Sequence, residues 1–326
     1  MNERETSPFD SLSEDDLRAL FERTDYVADD RTVTTVQLAL QMGRPLLVEG
    51  PPGSGKTELG KTLAEGFETE LIRLQCYEGL TAENALYEWN YTKQLLAVQA
   101  GEGTVGGDAA QQPATATGSG TETGPPSSVF GEEFLLERPL LRALRADRGQ
   151  PPVLLIDEID RADQEFEAFL LELLSDFQVT VPEFGTVTAD HPPVVVLTSN
   201  RTRGLSDALK RRCLYLHVEP PSFETEYEIV RRKVPELDAA IAAEVCAVVE
   251  RLREESFLKQ PGVAETLDWA RAVATLRQEN EGPLTPTEIE RTMGCLLKEA
   301  EDISSVDTEL LERLHQAASD AVERAE

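Results

Sequence analysis

The stretch Gly50-Pro51-Pro52-Gly53-Ser54-Gly55-Lys56-Thr57 fills every position of the pattern G-x-x-x-x-G-K-[ST]. That composition suits a loop wrapped around phosphate. Gly50, Gly53 and Gly55 let backbone N–H groups turn inward where a Cβ would obstruct the approach. Lys56 then reaches toward the terminal phosphates, and Thr57 offers a hydroxyl to Mg²⁺. The helix expected from Glu58 onward adds the partial positive charge of its N-terminus, so residues 50–58, Pro51, Pro52, Ser54 and Glu58 included, are the predicted ATP contacts.

A second segment, Leu154-Leu155-Ile156-Asp157-Glu158, ends an apolar run in two carboxylates. Asp157 is suited to holding the Mg²⁺ shell through water, and Glu158 to accepting a proton from an attacking water. A third run, Val194 to Ser199, ends at Asn200, a neutral donor and acceptor able to orient that water. Together the three segments predict ATP hydrolysis with Lys56, Glu158 and Asn200 as catalytic groups and Thr57 and Asp157 on the metal.

Such residues must be delivered by a sheet. Pro45 to Val48, Leu71 to Gln75, Val153 to Ile156, Val194 to Ser199 and Leu214 to Val218 read as strands, the central ones apolar throughout, as in a parallel sheet buried on both faces. Helices are expected over Thr32–Met42, Glu58–Phe67, Glu132–Ala146, Asp163–Ser175 and Leu205–Arg212, with a small hairpin over Gln178–Val181 and Thr186–Thr188. The fold class is α/β, with the carboxylates at the strand ends where open sheets bind ligands.

Beyond Pro220-Pro221 the strand signals stop, and Thr225–Lys233, Leu237–Arg253, Val263–Asn280 and Pro286–Ala300 show helical spacing. The expected organisation is an acidic N-terminal arm over 1–31, a nucleotide-binding domain over 32–219 and a helical lid domain over 220–326. The arm carries one helix near Ser13–Glu22, capped by Ser13 and Asp16. Residues 101–128 are rich in Gly, Thr, Ala, Ser and Pro and are expected to form a disordered surface insertion.

Charge narrows the function. The chain has 326 residues, with 61 Asp and Glu against 31 Lys and Arg, a net charge of -30. An acid excess spread over the whole chain argues against a nucleic-acid partner, because phosphate binding needs a basic surface. It resembles the surface of proteins from a high-salt cytoplasm, where screening offsets self-repulsion. No apolar run is long enough to span a bilayer and no leader pattern opens the chain, so a cytoplasmic protein is expected. Cys76, Cys213, Cys246 and Cys295, like His191, His217 and His315, lack metal-ligand spacing.

The order of features is similar to that of AAA+ ATPases. Leu71-Ile72-Arg73-Leu74-Gln75-Cys76-Tyr77-Glu78-Gly79-Leu80, Leu86-Tyr87-Glu88-Trp89-Asn90-Tyr91 and Asp157-Glu158-Ile159-Asp160-Arg161-Ala162 resemble the MoxR group, in its CoxD-like branch associated with carbon monoxide dehydrogenase maturation. The resemblance implies a ring, usually a hexamer, with ATP between neighbouring subunits. It implies a trans-acting arginine at Arg212; Arg211 beside it reads as a basic helix C-terminus complementing the dipole. The family's lid usually carries a nucleotide-sensing arginine where this chain has Thr266, which leaves Arg271, a turn further on, as the candidate replacement.

The activity so implied is chaperone-like remodelling, or cofactor insertion into a metalloenzyme client such as a molybdenum hydroxylase, with a von Willebrand factor A domain protein as partner. Alternatives are a MoxR-like or gas-vesicle-type assembly ATPase with another client, and a nucleotide-gated scaffold with little turnover. A DNA-remodelling ATPase fits the charge least. Trp89 and Tyr91 are candidate client contacts.

Overall fold

Short runs of Val, Ile and Leu bounded by turn residues become the central sheet, and amphipathic stretches between them become its covering helices. A computed structural model describes residues 9–102, 132–146, 150–182, 185–277 and 282–325. Helices α1 (Glu14–Arg23) and α2 (Asp30–Gln41) lead into β1 (Leu46–Glu49), α3 (Lys56–Gly66) and β2 (Leu71–Gln75). Next come α4 (Ala82–Leu86), β3 (Tyr87–Trp89), α5 (Tyr91–Glu102), a 3₁₀ turn at Glu132–Phe134, β4 (Leu135–Glu137) and α6 (Pro139–Leu144). β5 (Val153–Asp157) runs through a 3₁₀ turn at Ile159–Arg161 into α7 (Gln164–Asp176), then β6 (Gln178–Val181), β7 (Gly185–Thr188), β8 (Val194–Ser199), α8 (Asp207–Arg212) and β9 (Leu214–His217). The remainder is helical: α9 (Phe223–Lys233), α10 (Ala239–Arg253), α11 (Val263–Leu276), α12 (Pro286–Thr292), α13 (Ala300–Ser304) and α14 (Thr308–Ala325).

The main sheet has the order β2-β5-β8-β1-β9 with every pairing parallel, so the α/β expectation of a parallel sheet flanked by helices holds. Strand side chains alternate between faces. Leu47, Leu154, Ile156 and Leu197 enter the core on one face with α4, α6 and α7, while Leu46, Val48, Val153, Leu155 and Val196 enter the other with α1, α2 and α3. Register pairs Gln75 with Asp157 and Glu49 with Ser199. Glu49 also pairs with His217, so one end of the sheet carries the carboxyl ends of all five strands.

Three expectations need correction. The stretch read as an N-terminal arm is part of the core over its described residues: α1 has the expected capping box, but it buries Leu17, Leu20 and Phe21. Leu20 sits so close to Gly66 of α3 that a Cβ there would lie 2.3 Å from its Cγ. The helix expected over 132–146 is instead a 3₁₀ turn, a strand and a short helix, because Leu135–Glu137 pairs antiparallel with Tyr87–Trp89 and Pro139 restarts the helix at its first turn. The helix expected over 286–300 breaks after Thr292 into a 3₁₀ turn. The expected insertion at 101–128, apart from Gly101 and Glu102 at the end of α5, lies outside the described residues.

The C-terminal helices share their own core around fully buried Trp269, whose Nε1 donates to Thr292 Oγ1 at 2.7 Å. Leu310, Leu314 and Ala318 of α14, a helix beyond the last one expected, complete it. Among the described residues no helix is long and apolar enough to cross a membrane.

Candidate active site

The glycine loop leaves β1 under tight constraint. A Cβ on Gly50 would lie 2.2 Å from the Val218 carbonyl oxygen, so no other residue fits there unshifted. Gly53 and Gly55 have φ of 77° and 86°, the left-handed region that glycine enters without steric cost. Lys56, only 6% exposed, opens α3 and donates from Nζ to the carbonyls of Gly50 at 3.0 Å and Pro51 at 2.6 Å. Burial pulls its pKa down, against the opposing pull of Asp157, Asp160 and Glu158. Ser54 Oγ is buried in the same loop with no hydrogen-bond partner. A cradle of glycines, a buried ammonium and an unsatisfied hydroxyl at a helix N-terminus fit a phosphate chain.

At the end of β5 both oxygens of Asp157 are taken. Oδ1 accepts from Thr57 Oγ1 at 3.0 Å and Thr198 Oγ1 at 2.5 Å, and Oδ2 accepts from Arg73 Nε at 3.1 Å and Nη2 at 2.5 Å. Thr57 and Asp157 thus stand together, as a shared Mg²⁺ shell requires. Glu158 takes a left-handed conformation, φ 56°, and its backbone N–H donates to Thr198 Oγ1 at 2.9 Å. Its carboxylate accepts from Gln75 Nε2 at 3.0 Å, Arg161 Nη1 at 3.3 Å and, at the 3.5 Å limit, Asn200 Nδ2. Arg73 also donates to Gln75 Oε1 at 2.8 Å, linking the two carboxylates. Sequence reasoning missed Arg73, Gln75 and Thr198. The signal was there: Arg73 and Gln75 alternate along β2, so they share a face.

Asn200 follows β8, and its N–H donates to Asp160 Oδ1 at 3.2 Å. Asp160 also accepts from Thr202 N at 2.9 Å and Thr202 Oγ1 at 2.6 Å. Burial alone would raise this carboxyl's pKa, yet the hydrogen bonds outweigh it and hold the group below its ordinary value.

The structure does not place Arg212 with these residues. It ends α8 exposed to solvent, away from the cavity that the loop lines. Arg44 caps that helix end, donating from Nε to the Arg212 carbonyl at 3.0 Å and to the Arg211 carbonyl. Arg271 lies on the cavity wall and pairs with Asp268 at 3.4 Å. Thr266 is fully buried inside the C-terminal helical region, donating to Glu226 Oε1 at 2.7 Å. Glu226 in turn receives Arg253 through two bonds of 2.7 Å. Glu58, expected among the ATP contacts, also lines the cavity and pairs with Lys61 at 3.1 Å. Trp89 is a core residue set edge-on to Tyr87 at 5.7 Å, which removes it as a client contact; Tyr91 is 68% exposed.

The cavity measures about 740 Å³ and brings together the glycine loop, Asp157, Glu158, Asn200 and Arg271. Asp25, Tyr26, Val27 and Arg31, ahead of and within α2, also line it, a contribution unseen in the sequence.

Residues 45–213 match the AAA domain family, dynein-related subfamily. Over 261 residues the chain is 25% identical to an uncharacterized protein of Staphylococcus saprophyticus, covering 78% of this chain and 84% of that one. It is 24% identical over 275 residues to the denitrification regulatory protein NirQ of Stutzerimonas stutzeri, covering 82% of each. A shorter likeness, 32% over 195 residues, joins it to the mitochondrial chaperone protein ClpB3 of Oryza sativa subsp. japonica, covering 58% of this chain and 15% of ClpB3.

Proposed function

We infer an ATP-driven remodelling function from one premise: the chain belongs to the AAA domain family, in its dynein-related subfamily. In this reading residues 50–58 hold the triphosphate of ATP through loop N–H groups. Lys56 exchanges its two loop carbonyls for phosphate oxygens, and the buried Ser54 hydroxyl gains a partner. Thr57 and Asp157 hold Mg²⁺, which supplies positive charge against the phosphates when bound. Glu158 takes the proton of the attacking water, while Gln75 and Arg161 hold its carboxylate and Asn200 orients the water. Arg212, outside this chain's own cavity, is offered to the site of the next subunit in a hexameric ring, where a guanidinium stabilises charge developing on the transferred phosphoryl group. Arg271 on the lid senses the nucleotide.

The observation that carries the reading is the meeting of Thr57, Asp157, Glu158 and Asn200 from α3, β5 and β8 at one mouth of the cavity. For the client we retain a metalloenzyme in need of assembly or cofactor insertion, with a von Willebrand factor A domain partner, as the MoxR and CoxD-like motifs suggest. Likeness to a denitrification regulatory protein and to a chaperone supports that direction. Glu158→Gln tests the chemistry: it should bind ATP and lose turnover by about 10²–10³-fold. Undiminished turnover would remove Glu158 as the base, and a wild type that binds ATP without hydrolysing it would make the protein a nucleotide-gated scaffold. Affinity capture with Glu158→Gln in concentrated salt would then identify the client.

A further inference from the structure

We propose that Glu49 and Arg201 form a positioning pair that ties Asn200 to the root of the phosphate loop; the proposal rests on the hydrolytic reading above. Asn200 sits in a turn gripped through its backbone. The N–H groups of Asn200 and Thr202 donate to the two oxygens of Asp160, and that of Arg201 donates to Ser199 Oγ at 3.1 Å. The middle residue of the turn, Arg201, has φ 59°, a conformation with a steric cost for any side chain. What that conformation achieves is visible across the sheet edge. Arg201 Nε donates to Glu49 Oε2 at 3.0 Å, and Nη2 donates to the Tyr215 hydroxyl.

Glu49 is the last residue of β1 and is buried, although a strand interior favours an apolar side chain. A carboxylate withdrawn from water needs a countercharge, and Arg201 supplies it. The same residue anchors the loop. The Glu49 carbonyl accepts from Val218 N at 2.8 Å, and the next N–H, that of Gly50, donates to Ser199 O at 3.3 Å. One ion pair therefore spans from the residue just before the glycine loop to the residue after Asn200. Among the described residues Asn200 makes no hydrogen bond to the loop itself; its position relative to a γ-phosphate is set by this pair together with Asp160, Glu158 and the Gly50–Ser199 bond. Misplacing a water-orienting group by about 1 Å slows chemistry without weakening ground-state binding.

The test is steady-state ATP turnover of the full chain at fixed Mg²⁺, with assembly followed by sedimentation and folding by thermal melting. The variants are Glu49→Gln, Arg201→Gly, Arg201→Lys and the Glu49→Gln/Arg201→Gly double. Glycine adopts the turn's left-handed backbone freely, so Arg201→Gly removes the side chain, with its bonds to Glu49 and Tyr215, without adding backbone strain. We expect kcat to fall about tenfold in Glu49→Gln and in Arg201→Gly with KM for ATP within about twofold. The double variant should fall no further than the worse single one, and Arg201→Lys should recover part of the loss. Unchanged kcat, a parallel rise in KM, additive losses, or a loss that tracks dissociation of the assembled form would each overturn the proposal. Should Arg201→Gly unfold, Glu49→Gln, which keeps the side chain's shape, still decides. Glu158→Gln separates the two readings. Full turnover there removes Glu158 as the base and a wild type without turnover defeats the hydrolytic reading, whereas an inactive Glu158→Gln beside fully active pair variants defeats only the positioning pair.

Discussion

Gly262, at the N-cap of α11, lies directly against Gly53 of the phosphate loop: a Cβ on Gly262 would stand 2.7 Å from the Gly53 Cα, and one on Gly53 would stand 2.9 Å from the Gly262 Cα. The Val263 N–H, one residue on, donates to the Gly53 carbonyl at 2.9 Å. At this point the C-terminal helices thus meet the loop backbone to backbone. Gly262→Ala should wedge the two apart and weaken ATP binding by about tenfold, a cost of the size that overpacking brings. Titration with a fluorescent ATP analogue checks this. Gly294→Ala, whose Cβ meets nothing within 4 Å, should bind as the wild type does.

Thr266 serves the lid's interior. Its hydroxyl donates to Glu226 and lies 3.5 Å from Arg253 Nη2. Thr266→Val keeps the shape and deletes a donor to a buried carboxylate, so it should cost about 1–3 kcal/mol in urea unfolding. Arg271→Ala should leave that stability unchanged and weaken ATP binding a few-fold. Equal ATP affinity in Arg271→Ala would remove Arg271 as the lid's sensor.

Glu244 of α10 carries a pH signature. Burial raises its pKa above the ordinary 4.5, although the Leu284 N–H, Arg277 and His315 pull the other way. Just above pH 4.5 the folded chain therefore binds more protons at this site than the unfolded chain, and stability falls as pH rises through that window. Glu244→Gln mimics the protonated form and still accepts from Leu284 N. It should melt a few degrees above the wild type at neutral pH, with the difference vanishing once the solution falls below the ordinary glutamate value. Paired melts across pH read the sign directly.

The net charge of -30 sets a salt dependence. Screening lengths shrink from about 10 Å at 0.1 M to about 3 Å at 1 M, so self-repulsion between surface carboxylates fades over that range. Melting temperature should climb by several degrees between those KCl concentrations. A flat or falling curve would show that the acid excess is locally compensated.

The chemistry-bearing segments were legible because each is local. A glycine loop between a strand and a helix has its geometry written into eight neighbouring residues, and the apolar runs of β1, β5 and β8 announce burial on both faces. Periodicity failed where tertiary packing overrode it. Glu132–Ala146 has apolar spacing compatible with a helix, yet Leu135 and its neighbours are claimed by pairing with β3. The polar N-terminal stretch looked like an arm because so few apolar residues stand in it, and three of those few, Leu17, Leu20 and Phe21, are the ones buried.

By itself the sequence determined the α/β class, the phosphate loop, the two carboxylates and the asparagine, since these depend on residue type within a single strand and its following turn. Only the tertiary structure decided which residues hold those groups in place: Arg73 on Asp157, Gln75 on Glu158, Arg201 on Glu49 and the backbone at Gly262 on Gly53. Each of these contacts joins elements distant in the chain. Their meeting is set by strand order, register and the docking of the lid, quantities that no local spacing encodes.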